Sequence, residues 1–265
     1  MNIHKNYLLG VFRIVILFLW MTLMPLIYFI LRMFRVPGVY EVMLPMFHRG
    51  VCWILGLKVK IIGETSSEKP TLFVSNHVSY IDIFVTGYML SFFVAKSEVA
   101  NWPVFGKLAN IQNTLFIERD PRKARQQIEV LRTHLRNRNN LTLYPEGTST
   151  NGTFVEPFKP TLFAAADIAD GPRVAIQPMT VAYTHHAGEP IVEQAVRDHY
   201  AWYAKMPFLS HFFGLMPLKS VRAIIYFHPV CYLDEFENRK ACADHCQRVV
   251  AQKLDDLIHF RDSLD

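Results

Sequence analysis

The pattern of apolar and polar positions changes character along the chain. Ile14–Leu31 is a run of eighteen residues without a charge. As a helix it would be about 27 Å long, close to the thickness of a bilayer's hydrocarbon core. Arg13 and Arg32 bracket the run, and Trp20 and Tyr28 are residues of the type that settle at membrane interfaces. Arg32-Met33-Phe34-Arg35 follows where a cleavable signal would carry small residues, so the run is expected to persist as a membrane anchor. Val36-Pro37-Gly38 then breaks the pattern, and a mainly apolar helix is expected from about Tyr40 to Leu57.

Further on, the apolar runs become short and rich in β-branched and aromatic residues: Lys58–Ile62, Thr71–Ser75, Phe92–Ala95, Thr114–Ile117, Leu141–Tyr144, Ala175–Ala182 and Ala223–Phe227. Between several of them the spacing lengthens to that of helices. In Pro121–Arg138, Ala124, Ile128, Leu131 and Leu135 share one face, with Arg122, Arg125, Arg132 and Arg136 as a stripe beside it. Phe158–Ala169 and Glu235–Phe260 are further helix candidates. Strands alternating with helices predict an α/β fold, a mixed sheet flanked by helices, preceded by the anchoring helix. The expected division is an anchor over residues 1–38 and one domain over residues 39–265.

Composition sharpens this. Hydrophobic residues make up 51% of the 265, and the formal net charge is +5. Positive charge on an apolar chain suits a lipid surface, and no nucleic-acid-binding signature accompanies it, so membrane lipids are the expected partner. The four cysteines are too sparse for a disulfide framework. Cys242, His245 and Cys246 fall on a predicted helix, but a metal would need further ligands that the neighbourhood does not offer, so no metal site is expected.

Three polar blocks sit where strands are expected to end. Asn76-His77 is followed by Asp82, Phe116-Ile117-Glu118 by Arg119, and Tyr144-Pro145-Glu146-Gly147 by Thr148. Histidine can take a proton near neutral pH, and a carboxylate can orient its ring. Five residues correspond to about 140° around a helix, so His77 and Asp82 can meet only if the chain reverses between them. Ser79-Tyr80-Ile81-Asp82 resembles a helix-capping box that could begin just there. Arg119 could grip an anion in bidentate fashion, and Gly147 lets backbone pass close to a ligand.

Together these blocks resemble the glycerolipid acyltransferase family typified by bacterial 1-acylglycerol-3-phosphate acyltransferase. Its Asn-His-x4-Asp motif is met by Asn76, His77 and Asp82. Its second motif is met by Phe116–Arg119, with Glu118 for Asp, and its third by Tyr144–Thr148. Pro157-Phe158-Lys159 and Ile176-Gln177-Pro178 repeat weaker downstream patterns. Ser149 stands where the family usually has Arg, and with Ala201-Trp202-Tyr203 it is similar to the lyso-ornithine lipid acyltransferase branch.

The resemblance implies a membrane-associated lysolipid O-acyltransferase. His77 is the base and Asp82 its partner, and Asn76, Arg119, Glu146, Gly147, Thr148 and Lys159 bind substrate. The donor is acyl-CoA or acyl carrier protein, with no metal or redox cofactor. Backbone N–H groups of the first and third motifs hold the oxyanion, and the domain lies on the cytoplasmic face. A lysophosphatidic acid-type acceptor comes first, lyso-ornithine lipid second. A non-catalytic lipid-binding membrane protein is disfavoured by the intact His77 and Asp82, and a serine hydrolase by the lack of a Gly-x-Ser-x-Gly elbow. Trp202–Pro217, rich in aromatics, is open to two readings: membrane or acyl-chain contact, and core packing.

Overall fold

The computed structural model of the chain describes residues 3–102, 105–118 and 120–260. The uncharged run becomes helix α1, Tyr7–Met33, capped by Asn6, whose side chain accepts from the Leu9 N–H. The helix begins about two turns before the charge pattern suggests and so contains Arg13. Arg13 is buried, and its guanidinium donates to the carbonyls of Met216, Leu218 and Lys219. Three carbonyl dipoles stand in for the water this cation has lost. Gly10 lies against Pro217, whose carbonyl accepts the Asn6 N–H. Near the other end of the helix, Met24 and Tyr28 pack on Val39 and Met43 of α2, Val39–Leu55. One stripe of α1 is therefore held towards both ends. The other is bare, with Leu8 82% and Phe18 70% exposed and Val11, Phe12, Val15, Leu23 and Phe29 around them. Apolar surface on that scale fits contact with a membrane.

After α2 come β1 (Leu57–Ile62), β2 (Thr71–Ser75), α3 (Asp82–Thr86), β3 (Phe92–Lys96), α4 (Phe105–Ile111) and β4 (Leu115–Ile117). Next are α5 (Ala124–Arg136), β5 (Leu141–Leu143), α6 (Pro160–Phe163), β6 (Ala175–His186) and β7 (Glu189–Pro190). The chain closes with α7 (Gln194–Arg197), α8 (Phe208–Leu215), β8 (Val221–Phe227) and α9 (Arg239–Ile258). The strands form one mixed sheet in the order β1-β8-β6-β2-β5-β3-β4, with β7 on β6. Pairing is parallel except where β6 meets β8 and β7.

Both faces of the sheet are covered. In β2, Phe73 turns towards the core formed with α2 and α3, while Leu72 and Val74 turn towards that of α5 and α9. A central parallel strand needs apolar residues on both faces, which is why β2 shows no alternation. Leu131 and Leu135 of α5 are fully buried, and Arg122, Arg125 and Arg136 of the stripe lie in solvent.

Two helices are shorter than the pattern suggests. The Phe158–Ala169 stretch contains only α6 and one 3-10 turn, Ala164–Ala166. Pro160 bars its predecessor from helical geometry, leaving Lys159 extended, and the chain is extended again at Asp167. Helix α9 starts at Arg239 because the Asn238 side chain accepts from the N–H groups of Lys240 and Ala241.

Candidate active site

The site forms where β2 ends, at the carboxyl edge of the parallel strands. Asn76 is fully buried there. Its amide donates to the Val181 carbonyl (2.9 Å) and its carbonyl oxygen accepts from the Val181 N–H (2.8 Å). This pair imitates a rung of β-ladder and extends the β2–β6 pairing beyond Ser75 and Met179. Both functional atoms of Asn76 are therefore committed to β6.

The chain reverses next, and the reversal is held by Asp82 itself. Oδ2 of Asp82 lies 2.8 Å from Nδ1 of His77 and also accepts the N–H groups of Val78 (2.7 Å) and Ser79 (2.9 Å). The bond from Ser79 is one half of the capping box. The other half is not made, since the Ser79 hydroxyl has no partner among the described residues, and α3 begins only at Asp82. The Asp82 side chain is 0% exposed and that of His77 21%, so the imidazole alone of the pair reaches solvent. Its ring stacks on Tyr144 with centroids 4.3 Å apart. With Nδ1 turned to Asp82, Nε2 is left for a substrate.

Oδ1 of Asp82 accepts from the Tyr183 hydroxyl at 2.8 Å. Burial, reinforced by the Asp82 charge, pushes the Tyr183 pKa well above the usual phenol range, so the group is a donor. Nothing near it in sequence marks Tyr183. It lies 101 residues from Asp82, in a strand whose residues are almost all buried.

Glu146 lies beneath the same loop. Its Oε1 accepts the His77 N–H (2.5 Å) and its Oε2 the Glu156 N–H (2.7 Å). Burial pushes this carboxyl up to about 8, against the pull of those two donors. Gly147 follows with φ 69°, and the Lys159 side chain crosses it so closely that a Cβ there would strike Nζ. Thr148 is exposed at the tip of the loop. The Ser149 hydroxyl donates to the Trp202 carbonyl, while the Trp202 N–H donates to the Val78 carbonyl, joining the two motif loops to the 202 segment. Arg119 lies outside the described residues; Glu118 pairs with Lys123 at 2.7 Å.

The Gln177 of the weaker fourth pattern is a structural tie. It accepts from the Ser66 N–H and donates to the carbonyls of Glu64 and His228. The 202–217 stretch divides between the two readings. Trp202 and Phe208 pack with Tyr80 and Trp102 beside the His77 loop, while Leu209 and Phe213 point outward.

A buried carboxylate, a partly exposed imidazole and an apolar flank suit proton removal from a hydroxyl presented by a lipid. Known proteins agree. The family model described as Acyltransferase matches residues 57–182. The lyso-ornithine lipid O-acyltransferase of Rhodobacter capsulatus is 38% identical over 74% of this chain and 70% of that protein. That of Rhizobium meliloti is 31% identical over 81% and 74%. The 1-acyl-sn-glycerol-3-phosphate acyltransferase of Neisseria meningitidis is 28% identical over 76% of each. In fold, the chain is similar to the crystal structure of the LPA acyltransferase PlsC from Thermotoga maritima, with TM-score 0.70 over 95% of both chains at 18% identity. Likeness of this degree over most of both chains makes the protein an acyltransferase, a member of the lysolipid acyltransferase family.

Proposed function

We propose that the chain is a lyso-ornithine lipid O-acyltransferase working on the cytoplasmic face of a membrane, with acyl-CoA or acyl carrier protein as donor. The observation that carries the chemistry is the His77–Asp82 pair, 2.8 Å apart, with the carboxylate sealed from water. As the acceptor oxygen bonds to the thioester carbonyl carbon, its proton passes to His77 Nε2. Asp82 stabilises the imidazolium so formed. Collapse of the tetrahedral intermediate breaks the C–S bond, and the imidazolium returns its proton to the departing thiolate.

The amides of His77, Val78 and Ser79 are already donated to Glu146 and Asp82. The oxyanion donors expected of the first motif therefore fall to the third-motif loop, at Thr148 and Ser149. Asn76 and Glu146 serve by fixing backbone, and Tyr183 by fixing Asp82. Arg119, Thr148 and Lys159 stay assigned to the acceptor by the family resemblance.

Two observations favour the ornithine acceptor over the phosphate-bearing one that the motifs put first. The more similar relatives carry that name, at 38% and 31% identity. The residue standing where a phosphate-directed arginine is usual, Ser149, has its hydroxyl tied to Trp202. The test is a competition between lyso-ornithine lipid and lysophosphatidic acid for one labelled acyl donor, with wild type and Ser149→Arg. Wild type is expected to prefer the ornithine lipid. The added arginine, a charge-assisted partner worth about 1.5–3 kcal/mol, should move the ratio at least tenfold towards phosphate. A wild-type preference for lysophosphatidic acid would overturn the acceptor assignment and leave the chemistry standing. No transfer to either lipid would overturn the chemistry.

A further inference from the structure

Three of the four cysteines meet at one point. Cys242 and Cys246 stand one turn apart on the inner face of α9, both 0% exposed. Cys231 arrives from outside the helix, and an antiparallel bridge holds it in place. The Ile176 N–H donates to its carbonyl (2.8 Å) and its own N–H to that of Ile176 (2.9 Å). The three Sγ atoms all lie within 4.8 Å of one another. Cys52 is elsewhere, its thiol donating to the Phe84 carbonyl.

The place is remote from the chemistry. Ile176 pairs with Leu72 near the start of β2, while His77 follows the end of that strand. The thiols also belong to the core of α5 and α9, and the loop after His77 to the opposite one.

We propose that Cys231, Cys242 and Cys246 are a three-thiolate site for a thiophilic d10 metal ion, with Cu(I) the cation that suits it best. The geometry fits. Points no more than 4.8 Å apart share a centre within about 2.8 Å of each, and metal–sulfur bonds are about 2.3 Å long, so side-chain rotation alone closes the difference. Two of the ligands sit on a regular helix and the third is pinned by the bridge to Ile176, which limits the conformational entropy lost on binding.

The donor set selects the ion. Thiolates favour soft cations, and a three-sulfur set without a fourth ligand in the group suits a trigonal ion better than tetrahedral zinc. His245, the nearest imidazole in sequence, packs its ring on Phe236.

Cys242 lies in the first turn of a 20-residue helix, whose positive end favours an anion. A bound ion would clip the segment after β8 onto α9, and binding only the folded state it would raise stability by mass action.

The test uses full-length protein, reduced and stripped with a chelator, then titrated anaerobically with Cu(I) and, as a spectroscopic reporter, with Cd(II). One equivalent of each is expected to bind, with a thiolate-to-metal charge-transfer band and a rise in Tm. Cys231→Ala, the variant least costly to the core, should weaken Cd(II) binding by at least about a hundredfold and lose a third of the band. Cys52→Ala should change neither, and circular dichroism would show both variants folded. Absence of the band in wild type, or a band undiminished in Cys231→Ala, would overturn the site. So would reversible formation of a Cys231–Cys242 disulfide in a protein that takes up no metal.

Discussion

Replacing Tyr183 with Phe takes one oxygen from the most buried part of the site and leaves the ring to pack as before. Among the described residues Asp82 has four partners: three converge on Oδ2, and the Tyr183 hydroxyl alone donates to Oδ1. Without that hydroxyl Oδ1 remains buried with no donor among the described residues. A hydrogen bond to a charged group contributes about 1.5–3 kcal/mol. For a chain of this size, at about 2–4 °C per kcal/mol, Tm should fall by about 3–12 °C. If the whole loss were felt in the transition state, kcat/KM would fall about ten- to a hundredfold. The split between kcat and KM separates positioning from packing: an Asp82 that no longer holds the His77 ring should lower kcat and leave KM nearly unchanged. The assay is steady-state acyl transfer to a lysolipid, beside thermal unfolding of both proteins. A lowered Tm with unchanged kcat would refute the reasoning and make Tyr183 a packing residue only.

His77→Ala should abolish transfer while leaving the fold and membrane pelleting intact, and Asp82→Asn should slow the reaction by about 10²–10⁴-fold in steady-state assays. Glu146 holds its proton more tightly in the folded than in the unfolded chain, since burial raises it to about 8 from an ordinary value of about 4.3. Its contribution to stability is therefore full below about pH 4.3 and is lost as pH rises through 8, so the wild-type Tm should decline across that window more steeply than that of Glu146→Gln. Arg13→Ala leaves the carbonyls of Met216, Leu218 and Lys219 without their donor. Denaturant unfolding in detergent should show a loss of about 2–4 kcal/mol, and an unchanged midpoint would show that the guanidinium does not secure α1.

Much of this was legible in the sequence because periodicity reports which face of an element is buried. All seven expected strand segments are present, and the five-residue spacing of His77 and Asp82 correctly demanded a chain reversal. What periodicity cannot report is the partner that a buried polar atom finds across the fold. Asn76 and Glu146 look like ligand groups in their motifs, and only the approach of Val181 and Glu156 reveals them as backbone ties. Tyr183 is hidden for the same reason. Cys231 is a sharper case: the helix pattern shows only Cys242 and Cys246, and the bridge to Ile176 brings a third thiol beside them from eleven residues upstream of Cys242. The shortened α6 was legible locally, since Pro160 forbids a helical residue at Lys159.

Arg13 has a consequence for reach. Its grip on residues 216–219 joins α1 to the segment that leads back through α8 to Trp202, and from there by single hydrogen bonds to Val78 and Ser149. The apolar helix α1 and the loop bearing the imidazole thus share one scaffold. A base on a slack tether would sample hydroxyls at many depths in a bilayer. With α1 seated in a membrane as proposed, one mounted on this frame would work at a single level, and selection would begin with how far an acceptor's hydroxyl stands from the acyl tails, before any side chain touches its head group.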